Sequence, residues 1–219
     1  MYRCFFKRIF DFVLSLIGAI VLLPVFLIVS IAIFIDDPGP VFFKQKRVGK
    51  NKKLFWLIKF RSMKVKTPDI PTHLLTDPGQ YITKVGKFIR KTSIDELPQI
   101  YNILFGRMSI IGPRPALWNQ DDLIAERDKY GANDVKPGLT GWAQINGRDE
   151  LEIPVKAKLD GEYVAKLRAG KFKGLAMDIK CFFGTVVSVF KSDGVVEGGT
   201  GEMKREAEQK ETSQEPAIK

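Results

Sequence analysis

Residues 12–35 carry no charge, are apolar along nearly their whole length, and are interrupted near the middle by Pro24. The run is about 24 residues long, enough to cross a bilayer once as a helix. Basic residues mark the cytoplasmic side of membrane segments. Here they stand on both sides: Arg3, Lys7 and Arg8 before the run, and Lys44, Lys46, Arg47, Lys50, Lys52 and Lys53 after it. A straight crossing satisfies only one flank, whereas a segment that enters, turns at Pro24 and returns satisfies both. Proline lacks an amide hydrogen and clashes with the carbonyl four residues back, so it kinks or breaks a helix. Residues 12–23 as a helix span about 18 Å, little more than one leaflet of a hydrocarbon core about 30 Å thick. A single kinked span competes with this arrangement, because membrane helices tolerate proline. A cleaved signal peptide fits less well, since no small-residue cleavage site follows. Asp36-Asp37-Pro38-Gly39-Pro40 reads as the turn that ends the segment.

The 219-residue chain has a formal net charge of +10. Three parts are expected: a membrane segment at 1–36, a folded domain at 37–192, and a disordered polar tail at 193–219. Acids and bases nearly balance in the tail, so the positive charge belongs to the domain and points to phosphate-bearing partners. Cys4 and Cys181 show no motif spacing and read as thiols. A single histidine, His73, argues against zinc. A metal, if used, would be a hard cation such as Mg²⁺ held by carboxylate and phosphate oxygens. Walker A, GxGxxG, GxSxG and HExxH patterns are absent.

Residues 41–60 read as a β-hairpin, with strands at 41–43 and 54–58 and a basic turn at 49–53. Residues 64–83, with Pro68, Pro71 and Pro78, read as an irregular loop, and 97–105 as a short helix stopped by Gly106. Residues 119–130 and 150–168 read as charged helices, the first exposed; 137–148 read as a glycine-rich loop with a short strand. Residues 175–190, too short to span, read as a buried core helix or one lying in a membrane interface, the second favoured by the neighbouring membrane segment.

Four constellations have chemical potential. In Arg90-Lys91-Thr92-Ser93-Ile94-Asp95-Glu96-Leu97-Pro98, two adjacent carboxylates open a helix. Ser93 and Glu96 match a capping box, and capping alone would explain them. The same geometry suits phosphate chemistry: an ionised Asp95 attacks a phosphoryl group, Glu96 holds a metal, and Arg90 and Lys91 neutralise charge. Strand alternation puts Lys59 and Arg61 on one face, where they would clamp a pyrophosphate or simply be solvated. Gly112-Pro113-Arg114-Pro115 holds an arginine in a stiff segment suited to bidentate phosphate binding, or is only a stiff turn. In the run 137–148, glycines permit close backbone approach, Trp142 offers a face to a base and Arg148 a cation; a plain connector is the alternative.

Taken in order, Lys7-Arg8-Ile9-Phe10-Asp11, the Pro24 break, Gly39-Pro40-Val41-Phe42-Phe43-Lys44-Gln45, Lys59-Phe60-Arg61-Ser62-Met63, Asp95-Glu96-Leu97-Pro98, Ile111-Gly112-Pro113-Arg114-Pro115 and the 137–148 run closely resemble the bacterial sugar transferases, specifically the small monotopic phosphoglycosyl transferases. The resemblance covers about residues 3–190. It implies an α+β fold: a re-entrant helix–break–helix in the cytoplasmic leaflet of the bacterial inner membrane, then a small, mostly helical domain with a β-hairpin and interfacial amphipathic helices. It implies transfer of a sugar 1-phosphate from a UDP-sugar to polyprenyl (undecaprenyl) phosphate with Mg²⁺, releasing UMP and starting assembly of a capsule, exopolysaccharide, O-antigen or glycoprotein glycan. Downstream glycosyltransferases are further partners it implies; nucleic acid is not. Asp95 matches the nucleophile and Glu96 the Mg²⁺-holding residue. Lys59, Arg61, Arg90, Arg114 and Arg148 are the phosphate-contact candidates, and Asp178 falls on a family acidic position without an assigned role. Many relatives have Ser before the breaking proline where this chain has Leu23, whose side chain cannot satisfy a backbone carbonyl freed by the break. Without additional amino-terminal membrane helices, the chain is expected to be a minimal form. Two other classes compete: a membrane-anchored binder of anionic lipid or nucleic acid, supported by charge alone, and a phosphodiesterase acting on nucleotide sugars.

Overall fold

The computed structural model describes residues 5–68, 77–147 and 151–191. The apolar segment forms two helices, α1 (Lys7–Val21) and α2 (Leu23–Asp36), bent by 58° about Leu22. Pro24 sits in the first turn of α2, where its missing amide leaves no bond unmade. The Leu22 amide donates to the Gly18 carbonyl at 2.9 Å, and the Leu22 carbonyl accepts from the Phe26 amide at 2.8 Å. Backbone bonding thus runs through the break without a serine hydroxyl, so Leu23 does not prevent it. Among the described residues no single helix is long and apolar enough to cross a membrane; the bent pair passes by length and composition.

The polarity of α1 is inverted relative to a helix on a soluble core. Its buried residues are Lys7, Asp11, Ser15 and Ala19, one per turn, while Phe10, Leu14, Ile17 and Val21 are exposed. The buried charges fasten the helix to the rest of the fold. Lys7 pairs with Asp178 at 2.8 Å, and the Asp11 carboxylate accepts from the Ser109 hydroxyl at 3.0 Å and the Ile110 amide at 2.9 Å. The outer end of α2 is fastened too: the Asp36 carboxylate accepts from the Val85 amide at 2.8 Å, and Asp37 pairs with Arg61 at 2.6 Å. Phe26, Val29 and Ile33 of α2 share a core with Phe60 and Ile89, so the pair is built into the domain.

The hairpin consists of β1 (Phe42–Val48) and β2 (Leu54–Phe60), antiparallel with Phe42 opposite Phe60; β1 runs well beyond the expected 41–43. There follow α3 (Lys84–Lys91), a 3₁₀ turn at Ile94–Glu96, and α4 (Gln99–Leu104). The Asn102 side chain bridges α4 to β2, accepting from the Ile58 amide at 3.0 Å and donating to the Trp56 carbonyl at 2.8 Å. Strands β3 (Ser109–Ile111) and β4 (Gly138–Thr140) pair in parallel. The remaining helices are α5 (Asp121–Asp128), α6 (Trp142–Ile145), α7 (Ile153–Arg168) and α8 (Lys171–Lys191). Helix α3 and strand β3 have no counterpart in the sequence expectations.

Two expectations are corrected. Helix α5 is not simply an exposed helix, and α7 is more than a charged one. Arg127 of α5 and Asp160 of α7 are buried against each other, and α7 also buries Ala157, Tyr163, Val164 and Leu167. Helix α8 begins four residues before the expected 175 and buries a narrow stripe, Met177, Asp178 and Cys181. It leaves Phe172, Ile179, Phe182, Phe183, Val186 and Val187 exposed. Cys181 is a free thiol, pushed up to about 12 by burial and by Asp178. Cys4, His73 and the 193–219 tail lie outside the described residues.

Candidate active site

Between α3 and α4 the chain reverses through Ser93, which adopts a left-handed conformation (φ +55°). An L-residue there is strained by about 1–2 kcal/mol, and such strain clusters at functional sites. The expected capping box does not form: the Ser93 side chain makes no cap bond, and the Glu96 carboxylate faces Lys59 and Arg114 instead. The 3₁₀ turn presents Asp95 and Glu96 side by side. Ile94 and Leu97, on either side of them, pack against the core that Phe26, Val29 and Ile33 of α2 share with Phe60 and Ile89. The carboxylate pair therefore sits beside the core that α2 shares with the hairpin and α3.

Lys59 Nζ lies 2.9 Å from Glu96 Oε1, and Arg114 grips the same carboxylate bidentately, with Nη1 3.1 Å from Oε2. Arg90 donates from Nε to the Ser62 hydroxyl at 2.8 Å. Burial alone would raise the Glu96 carboxyl, but Arg114 and Lys59 outweigh it and hold the group well below the usual range. Asp95 is only 9% exposed, and burial pushes its carboxyl above the usual 3.8. Lys59 pulls it down, Glu96 pushes it up, and Arg90 and Arg114 pull it down more weakly. Two adjacent carboxylates thus have opposite characters: Glu96 is a fixed anion, and Asp95 is a more basic carboxylate.

Lys59, Arg90 and Arg114 converge on this pair; the other candidates stand elsewhere. Arg61 is buried against Asp37, donating to its carboxylate and its carbonyl, so it ties the end of α2 to the hairpin rather than facing a ligand. Asp178 accepts from Lys7 and from the Tyr163 hydroxyl, each at 2.8 Å, at the junction of α1, α7 and α8. Arg148 lies outside the described residues. Trp142 donates from its indole nitrogen to Glu162 at 3.0 Å, and Lys180 covers one ring face 4.5 Å from the centroid, so that face is closed to a base. The glycines serve packing: a Cβ on Gly138 would stand 2.1 Å from the Gly112 nitrogen, and one on Gly141 2.1 Å from the Gly112 oxygen. This close approach fixes the segment that delivers Arg114.

Mg²⁺ binds through one or two carboxylates plus phosphate oxygens and keeps several waters. Glu96 fits that role: it is ionised, and Oε2 accepts one bond from Arg114 while Oε1 accepts from both Lys59 and Arg114. No cluster of three or more His, Cys, Asp or Glu side chains exists among the described residues, so a dedicated all-protein metal cage is not built here.

A basic carboxylate and a fixed one stand side by side with Lys59, Arg90 and Arg114 around them, a charge arrangement suited to phosphate chemistry. The family is settled by comparison: the chain belongs to the bacterial sugar transferases, whose family model matches residues 2–192. It is 39% identical over 197 residues to a UDP-glucose:undecaprenyl-phosphate glucose-1-phosphate transferase of Escherichia coli (strain K12), covering 84% of this chain and 40% of that protein. It is 40% identical over 197 residues to the exopolysaccharide production protein PSS of Rhizobium leguminosarum bv. phaseoli, covering 83% of this chain and 94% of that protein. It is 39% identical over 177 residues to the galactosyl transferase CpsE of Streptococcus agalactiae, covering 72% of this chain and 37% of that protein. The chain thus spans about two fifths of the E. coli relative and nearly all of the Rhizobium one.

Proposed function

We propose that this chain transfers a sugar 1-phosphate from a UDP-sugar to polyprenyl phosphate, through a covalent intermediate on Asp95, as a first membrane step of exopolysaccharide or related glycan assembly. The observation that carries the proposal is the buried Asp95 held among Lys59, Arg90 and Arg114 beside an ionised Glu96. An Asp95 oxygen attacks the sugar-bearing phosphorus, and the bond from that phosphorus to UMP breaks. UMP leaves with the bridging oxygen and its electron pair. A phosphate oxygen of the polyprenyl acceptor then attacks the same phosphorus and frees Asp95. The bond between sugar and oxygen is untouched, so the anomeric configuration is retained. Lys59, Arg90 and Arg114 balance the negative charge that gathers at the phosphoryl group. Glu96 would hold Mg²⁺, which would supply further positive charge at the phosphates.

The membrane belongs to the same proposal. Both outer ends of the helix pair, Lys7 and Asp36, are fastened to one domain, which favours both ends lying on one face of a bilayer, here the cytoplasmic face of the bacterial inner membrane. A re-entrant reading is supported by length: with both ends at one level, fifteen residues at 1.5 Å each and a 58° bend reach a depth of about 11 Å, less than one leaflet of about 15 Å. The exposed apolar residues of α1, α2 and α8 then meet lipid, and the carboxylates stand where a lipid-borne phosphate arrives.

The test is UMP release from a panel of UDP-sugars, glucose and galactose first, with Mg²⁺. Without acceptor, release is expected to stop near one equivalent per chain; with undecaprenyl phosphate it should turn over. Continuous hydrolysis without acceptor would instead identify a phosphodiesterase. The rate of the first step is expected to fall with decreasing pH through the Asp95 pKa, above the usual 3.8, because the attacking oxygen must be ionised. Lys59→Met removes the largest pull on that carboxylate and should move the acid limb to higher pH, measured as burst rate against pH.

A further inference from the structure

We infer that the cavity at the end of α4 remote from Asp95 binds the phosphate of an anionic phospholipid headgroup. This rests on the membrane-embedded reading of α1 and α2. The cavity measures about 230 Å³ and is walled by Lys7, Arg8, Asp11, Lys50, Asp134 and Lys136. Two of its charges are balanced: Lys7 pairs with Asp178, and Asp134 with Arg168, each at 2.8 Å. Arg8 donates to the Ile103 and Leu104 carbonyls at 2.7 and 2.8 Å, which fixes its guanidinium without neutralising it. Lys50 and Lys136 form no salt bridge among the described residues. Arg8 and Lys136 also converge: a Cβ placed on Gly106 would stand 3.0 Å from Arg8 Nη2 and 3.6 Å from Lys136 Nζ. Gly106, at φ +77°, leaves that space open. The Asp11 carboxylate is the one acid left to oppose Arg8, Lys50 and Lys136, and it is already bonded to Ser109 and Ile110. Burial, then Arg8 and Lys50, weaken the hold of Lys136 on its proton against the opposing pull of Asp11. An anion bound between them would remove that conflict.

Size and position choose the ligand. Pockets for drug-sized ligands run from about 300 to 1,000 Å³; this one is smaller and suits a headgroup phosphate rather than a nucleotide sugar. Phe5 and Phe6 just before α1, and Ile9 and Phe10 on its first turns, are exposed beside the cavity residues Lys7 and Arg8. Acyl chains lying along that apolar surface bring a headgroup to the cavity mouth.

The experiment titrates the full chain in uncharged detergent micelles with phosphatidylglycerol, and separately with phosphatidylcholine, glycerol 3-phosphate and inorganic phosphate, by calorimetry. Phosphatidylglycerol is expected to bind at least about tenfold more tightly than the others. Lys136→Met should weaken it by about tenfold or more, Lys136→Arg should restore it, and the exposed Lys50→Gln should weaken it about threefold. UMP release should be unchanged in Lys136→Met. Unaltered phosphatidylglycerol binding in both Lys136→Met and Lys50→Gln overturns the site. Equal binding of glycerol 3-phosphate or inorganic phosphate overturns the lipid assignment. If no UDP-sugar releases UMP from the wild-type chain while Lys136→Met still loses phosphatidylglycerol, the transferase proposal fails and the lipid site stands.

Discussion

Asp95→Asn is expected to eliminate UMP release, lowering the burst rate by at least about 10⁴-fold, the scale seen when an enzyme loses its nucleophile. The amide keeps the shape of the side chain and has no ionised oxygen to attack phosphorus. Stability should move in the opposite direction. The Asp95 pKa is raised in the folded state, so its ionised form costs stability at every pH above that pKa. Asn removes the charge, so the variant should be at least as stable as the wild type near neutral pH. Glu96→Gln makes the contrast. The folded Glu96 pKa is depressed, so its ionisation stabilises the fold above the usual 4.5 and that contribution is lost only as pH falls through the depressed value. With Glu96 only 16% exposed, Gln would leave Lys59 and Arg114 partly buried without their anion. That variant should lose about 3–5 kcal/mol of stability together with activity. Urea unfolding beside the UMP assay separates the two. An Asp95→Asn chain that releases a full equivalent of UMP would remove Asp95 from the chemistry.

What was legible in the sequence was what a local rule fixes. Pro24 signalled a helix break, which falls two residues earlier at Leu22 with the proline in the first turn of α2, and the adjacent carboxylates were readable as a candidate pair. Where a rule was carried past its limit, the expectation failed. Alternation along β2 put Lys59 and Arg61 on one face, but the strand ends at Phe60, and Arg61 turns away to Asp37. The Ser93-x-x-Glu96 spacing matches a capping box, but positive φ at Ser93 breaks the geometry the motif needs. The glycines of 137–148 signalled close approach correctly; what approaches is the Gly112 backbone rather than a ligand. The buried stripe of α7, at 157, 160, 161, 164 and 167, has helical periodicity, yet it contains an aspartate and a glycine and so does not read as apolar. Pairings between distant residues, such as Lys7 with Asp178, leave no local trace.

The Arg127–Asp160 pair is the largest stability test outside the active site. The guanidinium donates from Nε and Nη2 to a single oxygen, Asp160 Oδ2, at 2.8 and 2.6 Å, with the two side chains 4% and 1% exposed. Burial pushes the Asp160 carboxyl up, and Arg127 is the first influence pulling it back. Arg127→Met leaves a carboxylate enclosed between α5 and α7 without its cation. The expected loss is about 3–5 kcal/mol, a fall in melting temperature of roughly 10 °C for a domain of this size. Without Arg127 the Asp160 pKa rises further, so the carboxyl escapes the penalty by taking up a proton. The deficit relative to wild type should therefore be largest at alkaline pH and shrink as pH falls through that raised pKa. Arg127→Met/Asp160→Leu removes both charges and should recover most of the loss, because an apolar pair of similar volume replaces a buried ion pair at little cost. Neither residue is among the cations around Asp95, so the folded fraction of each variant should keep its one-equivalent UMP burst. If the single and double variants are equally destabilised, the pair acts through shape alone and its charge contributes nothing to the join between α5 and α7.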